Sequence, residues 1–162
     1  MKRLFLVRHA KSCWDDASLP DKERPLNERG EREALNMGKR LAKRDVKPDL
    51  ILSSSAKRAL ATAEIIAEKL DYERDKIVVD DRLYGASARD LLQIIHKLPQ
   101  DVKSVMLVGH NPELTDLAHR LAPKIIDMPT CAVAELTFDT KSWPSIGDDK
   151  SAKVVFHDPK DP

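Results

Sequence analysis

The sequence predicts a three-layer α/β/α sandwich built on a mostly parallel central sheet. Three observations carry that expectation. Short aliphatic runs recur between polar residues: "LFLV" at 4–7, "LIL" at 50–52, "IVV" at 77–79 and "VMLV" at 105–108. Uninterrupted runs of this kind are how strands buried on both faces look. The segments between them repeat their apolar residues at helical spacing, so strand and helix alternate, and helices cover both faces of a parallel sheet.

Taken in order, the first run, 4–7, leads directly into Arg8-His9. A helix over 27–44 follows, with Ala34, Met37, Gly38 and Leu41 on one face and Asn27 as N-cap. The run at 50–52 opens into "SSSAKR", and the helix over 56–70 aligns Ala59, Ala63, Ile66, Ala67 and Leu70. "IVV" precedes Asp80-Asp81, and "SARDLLQIIHKL" begins on Ser87, a second N-cap. "VMLV" ends in Gly109-His110-Asn111, with Pro112 suited to the first turn of the helix "PELTDLAHRLA". "CAVAELTF" (131–138) and "AKVVFH" (152–157) alternate at period two and read as antiparallel neighbours joined through the loop "KSWPSIGDDK". Residues 158–162 are expected to fray. With no internal repeat or low-complexity tract, the expectation is a single domain over 1–162.

Composition narrows the function classes. The 162 residues are 41% hydrophobic and 34% charged, with a formal net charge of +1, so nothing draws in nucleic acid globally and any anion site is local. Cys13 and Cys131 lie far apart without paired spacing, which argues against a disulfide framework or a zinc site. "LFLV" is too short for a signal-peptide core, and no run approaches a membrane span, so the expected location is cytoplasmic.

Ligands of open α/β sheets collect at the carboxyl ends of the strands. There the sequence places Arg8-His9 after the first strand, Ser53, Ser54 and Arg58 after the second, and His110-Asn111 after the fourth. Arginine forks match a tetrahedral oxyanion, and the helix starting near Ala56 adds its positive end. In such a pocket a neutral histidine attacks phosphorus. His9 is the candidate nucleophile because it adjoins Arg8, and His110 is a proton donor or, if protonated, a further positive partner. Asp81 is the candidate acid for the leaving group. The arginines would supply the charge stabilisation otherwise given by a metal, so no metal or cofactor is expected.

The motifs resemble those of the histidine phosphatase superfamily. "LVRHA" is similar to its "RHG" signature, with Ala10 in place of glycine. "SSSAKRALATAE" resembles the element in which arginine precedes threonine by four positions, here Arg58 and Thr62, and "LVGHNP" resembles the second-histidine element. Small size and "ERPLNERG" look most like the SixA-type phosphohistidine phosphatases. The resemblance implies a phosphoglycerate mutase-like fold, transient phosphorylation of His9, and Arg8, Arg58 and His110 around the phosphoryl group. It also implies a phosphohistidine-bearing partner of phosphorelay or phosphocarrier type. "RHAKSCW" and "DRLYG" are similar to the mutase branch, with Ser12 and Trp14 after the first motif and Asp81 where that branch carries glutamate.

Each candidate has a plainer role to set beside the chemical one. Arg58 could pair with Glu64, His110 could cap the following helix, and Asp80-Asp81-Arg82 makes a solvated turn. Ser12, Ser54 and Asn111 are candidate substrate contacts, the serines also natural turn formers. Arg24 either reaches the site or pairs with Asp21 or Glu23. His96, His119 and His157 read as structural, and both cysteines as packing residues. At the level of function, a phosphohistidine phosphatase competes with a small-molecule phosphomonoesterase or mutase, and with a non-catalytic phosphate-binding module. Ala10 bears on geometry, since alanine resists the positive φ open to glycine.

Overall fold

The computed structural model describes residues 1–147 and 153–161. Its strands are β1 (Lys2–Arg8), β2 (Leu50–Ser53), β3 (Val78–Val79), β4 (Ser104–Gly109), β5 (Val133–Phe138) and β6 (Lys153–His157). They form one sheet in the order β3-β2-β4-β1-β5-β6. β1, β2, β3 and β4 pair in parallel, whereas β5 runs antiparallel to both its neighbours. The register of β1 on β4 sets Arg8 opposite Gly109, so the residues that follow, His9 and His110, leave the sheet side by side.

Among the described residues, four α-helices cover the sheet: α1 (Glu28–Lys43), α2 (Lys57–Lys69), α3 (Ala88–His96) and α4 (Glu113–Leu121). Alternation along the strands divides the core in two. Leu4, Leu6, Val105 and Leu107 pack with Leu91, Ile95, Leu114 and Leu117 of α3 and α4. Phe5, Val7, Met106 and Val108 pack with Met37 and Leu41 of α1 and with Ala63 and Ile66 of α2. The three-layer α/β/α expectation therefore holds. The expected N-caps are formed: Asn27 accepts from the Gly30 N–H at 2.7 Å, and Ser87 makes a capping box with Asp90.

Three local expectations change. "IVV" was expected to be buried on both faces, but β3 is a two-residue edge strand whose Val78 and Val79 are 45% and 48% exposed. A short apolar run does not distinguish an edge from a centre. The expected loop "KSWPSIGDDK" contains a buried residue: Trp143 donates its indole N–H to the Val102 carbonyl at 2.8 Å, and the Lys2 ammonium lies 5.1 Å from its ring centroid. The last three residues of that loop, 148–150, lie outside the described residues, as do the first residue of "AKVVFH" and residue 162. The tail expected to fray runs back along α1, where Arg40 donates to the carbonyls of Asp158 and Asp161 at 2.9 and 2.6 Å.

Candidate active site

The carboxyl edge of the sheet carries a cleft of about 560 Å³ lined by Arg8, His9, Ser12, Arg24 and Arg58, with Lys11, Arg29 and Lys160 on its outer wall. Its floor is fixed by backbone bonds. The His9 N–H donates to the Gly109 carbonyl at 3.0 Å, and the Cys131 N–H reaches the carbonyls of Arg8 and His9 at 3.2 and 3.1 Å. Cys131 takes a left-handed φ of 64° there. Burial pushes its thiol up to about 12, so it is inert packing, as expected.

His9 is 8% exposed, and its ring Nδ1 lies 2.7 Å from the Ala10 carbonyl. A carbonyl only accepts, so Nδ1 carries the proton and Nε2 keeps the lone pair. Burial, aided by the charges of Arg58, Arg8 and Arg24, lowers the His9 pKa to about 4. The ring is neutral at pH 7. Ala10 is fully buried and is not among the described residues with positive φ, so the methyl group is accommodated without strain. Its N–H donates to Thr62 Oγ1 at 2.9 Å, and Thr62 donates to the Arg58 carbonyl at 2.8 Å. One hydroxyl thus ties the His9 loop to the first turn of α2.

His110 stands 5.1 Å from His9, centroid to centroid, with Nε2 2.8 Å from Ser54 Oγ. Burial and the neighbouring His9 and Arg58 lower its pKa to about 3. Ser54 is fully buried and also accepts from the Ala56 N–H at 3.2 Å, so it orients His110 and the start of α2 and does not face the cleft as a substrate contact. Ser12 Oγ accepts from Arg24 Nη1 at 3.0 Å, and Arg24 lies over the Trp14 ring at 3.3 Å. Arg8 donates from Nη1 to the Met128 carbonyl at 3.0 Å.

Two expected site residues have other partners in the structure. The Asp81 side chain is 79% exposed and bonded to Lys22 at 3.0 Å, outside the cleft lining. The nearby Ser55 hydroxyl and the Lys22 ammonium lower its pKa, opposite to the shift a general acid needs. Asn111 spends its amide on the fold, donating to the Met128 carbonyl and accepting from the Thr115 N–H and hydroxyl.

The residue the sequence reading weighed only as a possible salt-bridge partner of Arg24 is Asp21. Its carboxylate takes Arg24 Nη2 at 3.1 Å on one oxygen, and Arg58 Nη2 at 3.0 Å and the Tyr84 hydroxyl at 2.6 Å on the other. The Tyr84 bond, then Arg58 and Arg24, hold its pKa down at about 2. Tyr84 also packs edge-on against His110 at 5.5 Å. Among the described residues, Nε of Arg8, Arg24 and Arg58, Nδ1 of His110 and the Ser55 hydroxyl are buried without a hydrogen-bond partner in the protein. Such orphaned polar atoms are rare in native folds and mark sites that take a ligand. No group of three or more His, Cys, Asp or Glu among the described residues is placed to hold a metal, and no described helix is long and apolar enough to cross a membrane.

Comparison with known proteins agrees with this geometry. The family model "Histidine phosphatase superfamily (branch 1)" matches residues 4–91. An uncharacterized chloroplast protein of Arabidopsis thaliana is 34% identical over 150 residues, covering 88% of this chain and 69% of its own length. A solved SixA protein of Agrobacterium tumefaciens is 31% identical, with a TM-score of 0.78 and coverage of 95% of this chain and 97% of that one. A protein histidine phosphatase SixA solved with tungstate is 25% identical, with a TM-score of 0.76 over 96% of this chain and 94% of that one. The fold is that of the solved SixA proteins, and the chain belongs to the histidine phosphatase superfamily, as a SixA-like histidine-type phosphatase.

Proposed function

We propose that this protein is a phosphohistidine phosphatase that carries the phosphoryl group transiently on His9 and needs no metal. The observation that carries the reading is the convergence of a neutral imidazole with three buried arginines whose Nε atoms, with His110 Nδ1, have no protein partner. His9 Nε2 attacks phosphorus while Nδ1–H stays on the Ala10 carbonyl. The bond from phosphorus to the leaving nitrogen breaks, and the departing imidazole leaves neutral because its other ring nitrogen has taken a proton from solvent. Water then attacks phospho-His9, releasing phosphate and restoring the ring. Arg8, Arg24 and Arg58 neutralise the charge of the transferring group, and His110, oriented by Ser54, donates from Nδ1 to a phosphoryl oxygen.

The choice of a P–N substrate follows from the proton donors. Asp81 is exposed on the rim and Asp21 is held near 2, so neither donates a proton at neutral pH. A nitrogen leaving group that is readily protonated tolerates this better than an alkoxide. Similarity to the SixA proteins supports the same substrate class. The proposed partner is a phosphohistidine-bearing phosphorelay or phosphocarrier protein in the cytoplasm. One observation favours a second reading, a small phosphomonoester: Lys11 and Lys160 add cations to the lining beyond the phosphoryl clamp, beside Asp127 and the Arg29–Glu33 pair.

The test compares kcat/KM on a phosphohistidine carrier protein with a panel of phosphomonoesters, in chelator, with His9→Ala as background. Preference for the carrier, lost in the variant together with an acid-labile phosphoenzyme, supports the proposal. Preference for an ester, equally lost, replaces the substrate. Turnover unchanged in His9→Ala overturns the nucleophile.

A further inference from the structure

We infer that Asp21 is an internal counter-anion: its carboxylate holds the arginine forks that the substrate phosphoryl group must take over, and it retakes them to expel product phosphate. This rests on the reading of Arg24 and Arg58 as a phosphoryl clamp. Both outer nitrogens of Arg58 are engaged by Asp21, Nη1 by its carbonyl at 2.7 Å and Nη2 by Oδ2 at 3.0 Å. Arg24 gives Nη2 to Oδ1 of the same residue at 3.1 Å. One carboxylate therefore bridges two guanidinium groups that are themselves 6% and 7% exposed. A carboxylate and a phosphoryl group compete for the same planar fork.

The segment that carries Asp21 can yield. The turn Asp21–Glu23 buries none of its residues, and the Asp21 side chain is itself 49% exposed. Besides Asp21's own bonds, it is tied by Lys22, which pairs with the exposed Asp81 at 3.0 Å and lies 5.3 Å from the Tyr84 ring centroid, and by the Glu23 N–H donating to the Pro20 carbonyl at 2.9 Å. Asp21 lies behind the arginines rather than in the cleft lining, in an adjoining pocket with Trp14 and Arg24, and Tyr84 links it to the histidines, its hydroxyl donating to Asp21 while its ring packs T-shaped with His110. When a phosphoryl group takes the forks, Asp21 keeps Tyr84 as a partner and remains adjacent, ready to compete again. The consequence is weak retention of the free oxyanion product.

The sign of one measurement separates this role from a purely structural one. Binding of inorganic phosphate and of tungstate is measured by calorimetry for the whole protein and for Asp21→Asn and Asp21→Glu. Asn keeps the shape and removes the competing charge, so anion affinity is expected to rise by roughly threefold to fivefold. Product inhibition should strengthen in parallel, with Asp21→Glu staying near the parent. Weaker anion binding in Asp21→Asn overturns the counter-anion role and leaves Asp21 as a brace for the arginines. Unchanged binding overturns it too. If neither the parent nor Asp21→Asn binds an oxyanion, the clamp itself is wrong, and the proposal falls with it.

Discussion

Thr62→Val isolates the one hydroxyl that couples the nucleophile loop to the arginine-bearing helix. Valine keeps the shape and loses two bonds, the 2.9 Å acceptor contact for the Ala10 N–H and the 2.8 Å donation to the Arg58 carbonyl. Thr62 and Ala10 are both fully buried, so no water replaces the acceptor. A buried N–H left without a partner costs about 1–3 kcal/mol. At a urea m-value of about 2 kcal/mol per molar, the unfolding midpoint should fall by about 1 M. Activity should fall as well, because the carbonyl that fixes the His9 tautomer belongs to the same residue, Ala10. A loss of about tenfold in kcat/KM is expected from a slightly misplaced nucleophile. Thr62→Ser is the control: it keeps the hydroxyl and gives up a methyl group, costing about 1 kcal/mol with kcat/KM close to the parent. A valine variant as stable and as active as the serine variant would refute the coupling.

The remaining predictions follow from single observations. A Cβ built on Gly30 would lie 2.1 Å from the Lys11 carbonyl oxygen, so Gly30→Ala must push α1 away from the His9 loop. It should cost on the order of 2 kcal/mol in denaturant unfolding and lower kcat more than it raises KM. The low pKa values of His9 and His110, about 4 and 3, lie below the unfolded value of 6.5. The unfolded chain therefore binds more protons, so the stability from keeping these rings neutral is present above pH 6.5 and is lost as pH falls from there toward 4 for His9 and 3 for His110. The acid limb of kcat/KM should fall near 4 for the free enzyme, and a limb at 6.5 would contradict the burial of His9. Asp81→Asn should leave kcat/KM within about twofold, because the side chain is 79% exposed outside the cleft; a loss of about a hundredfold would restore it as the acid.

How much of this was legible in the sequence depends on chain locality. Arg8, His9, Arg58 and His110 each follow within a few residues of an aliphatic run, so finding the strand finds the strand end. Asn27 and Ser87 were legible for the same reason, since a cap adjoins the helix it starts. Asp21 and Tyr84 come from irregular segments with no hydrophobic period to fix their place. The one available signal was the three-residue spacing of Asp21 and Arg24, which is equally that of an ordinary surface pair. Asn111 misled because a polar residue beside a candidate histidine looks like a ligand, whereas here its amide secures α4 to the Met128 loop. Lys2 shows the same blindness to long-range pairing: a terminal lysine that is 2% exposed donates to the carbonyls of Gln100 and Val102.

The single reversed strand, β5, has an evolutionary corollary. In an all-parallel sheet the connection leaving α4 would enter the next strand on the far side from the nucleophile. Because β5 runs the other way, residues 122–132 cross the reactive side instead, and Met128, Pro129 and Thr130 border the cleft or bind Arg8. Ile126 within this connection is 80% exposed. Insertions there can build a roof or a selectivity rim while His9 and its arginines stay anchored in β1 and α2. The connections at the opposite end, 45–49 and 97–103, offer no such route. One strand's direction thereby adds a second long connection to the cleft edge, beside the one between β1 and α1 that supplies Lys11, Ser12, Trp14 and Arg24.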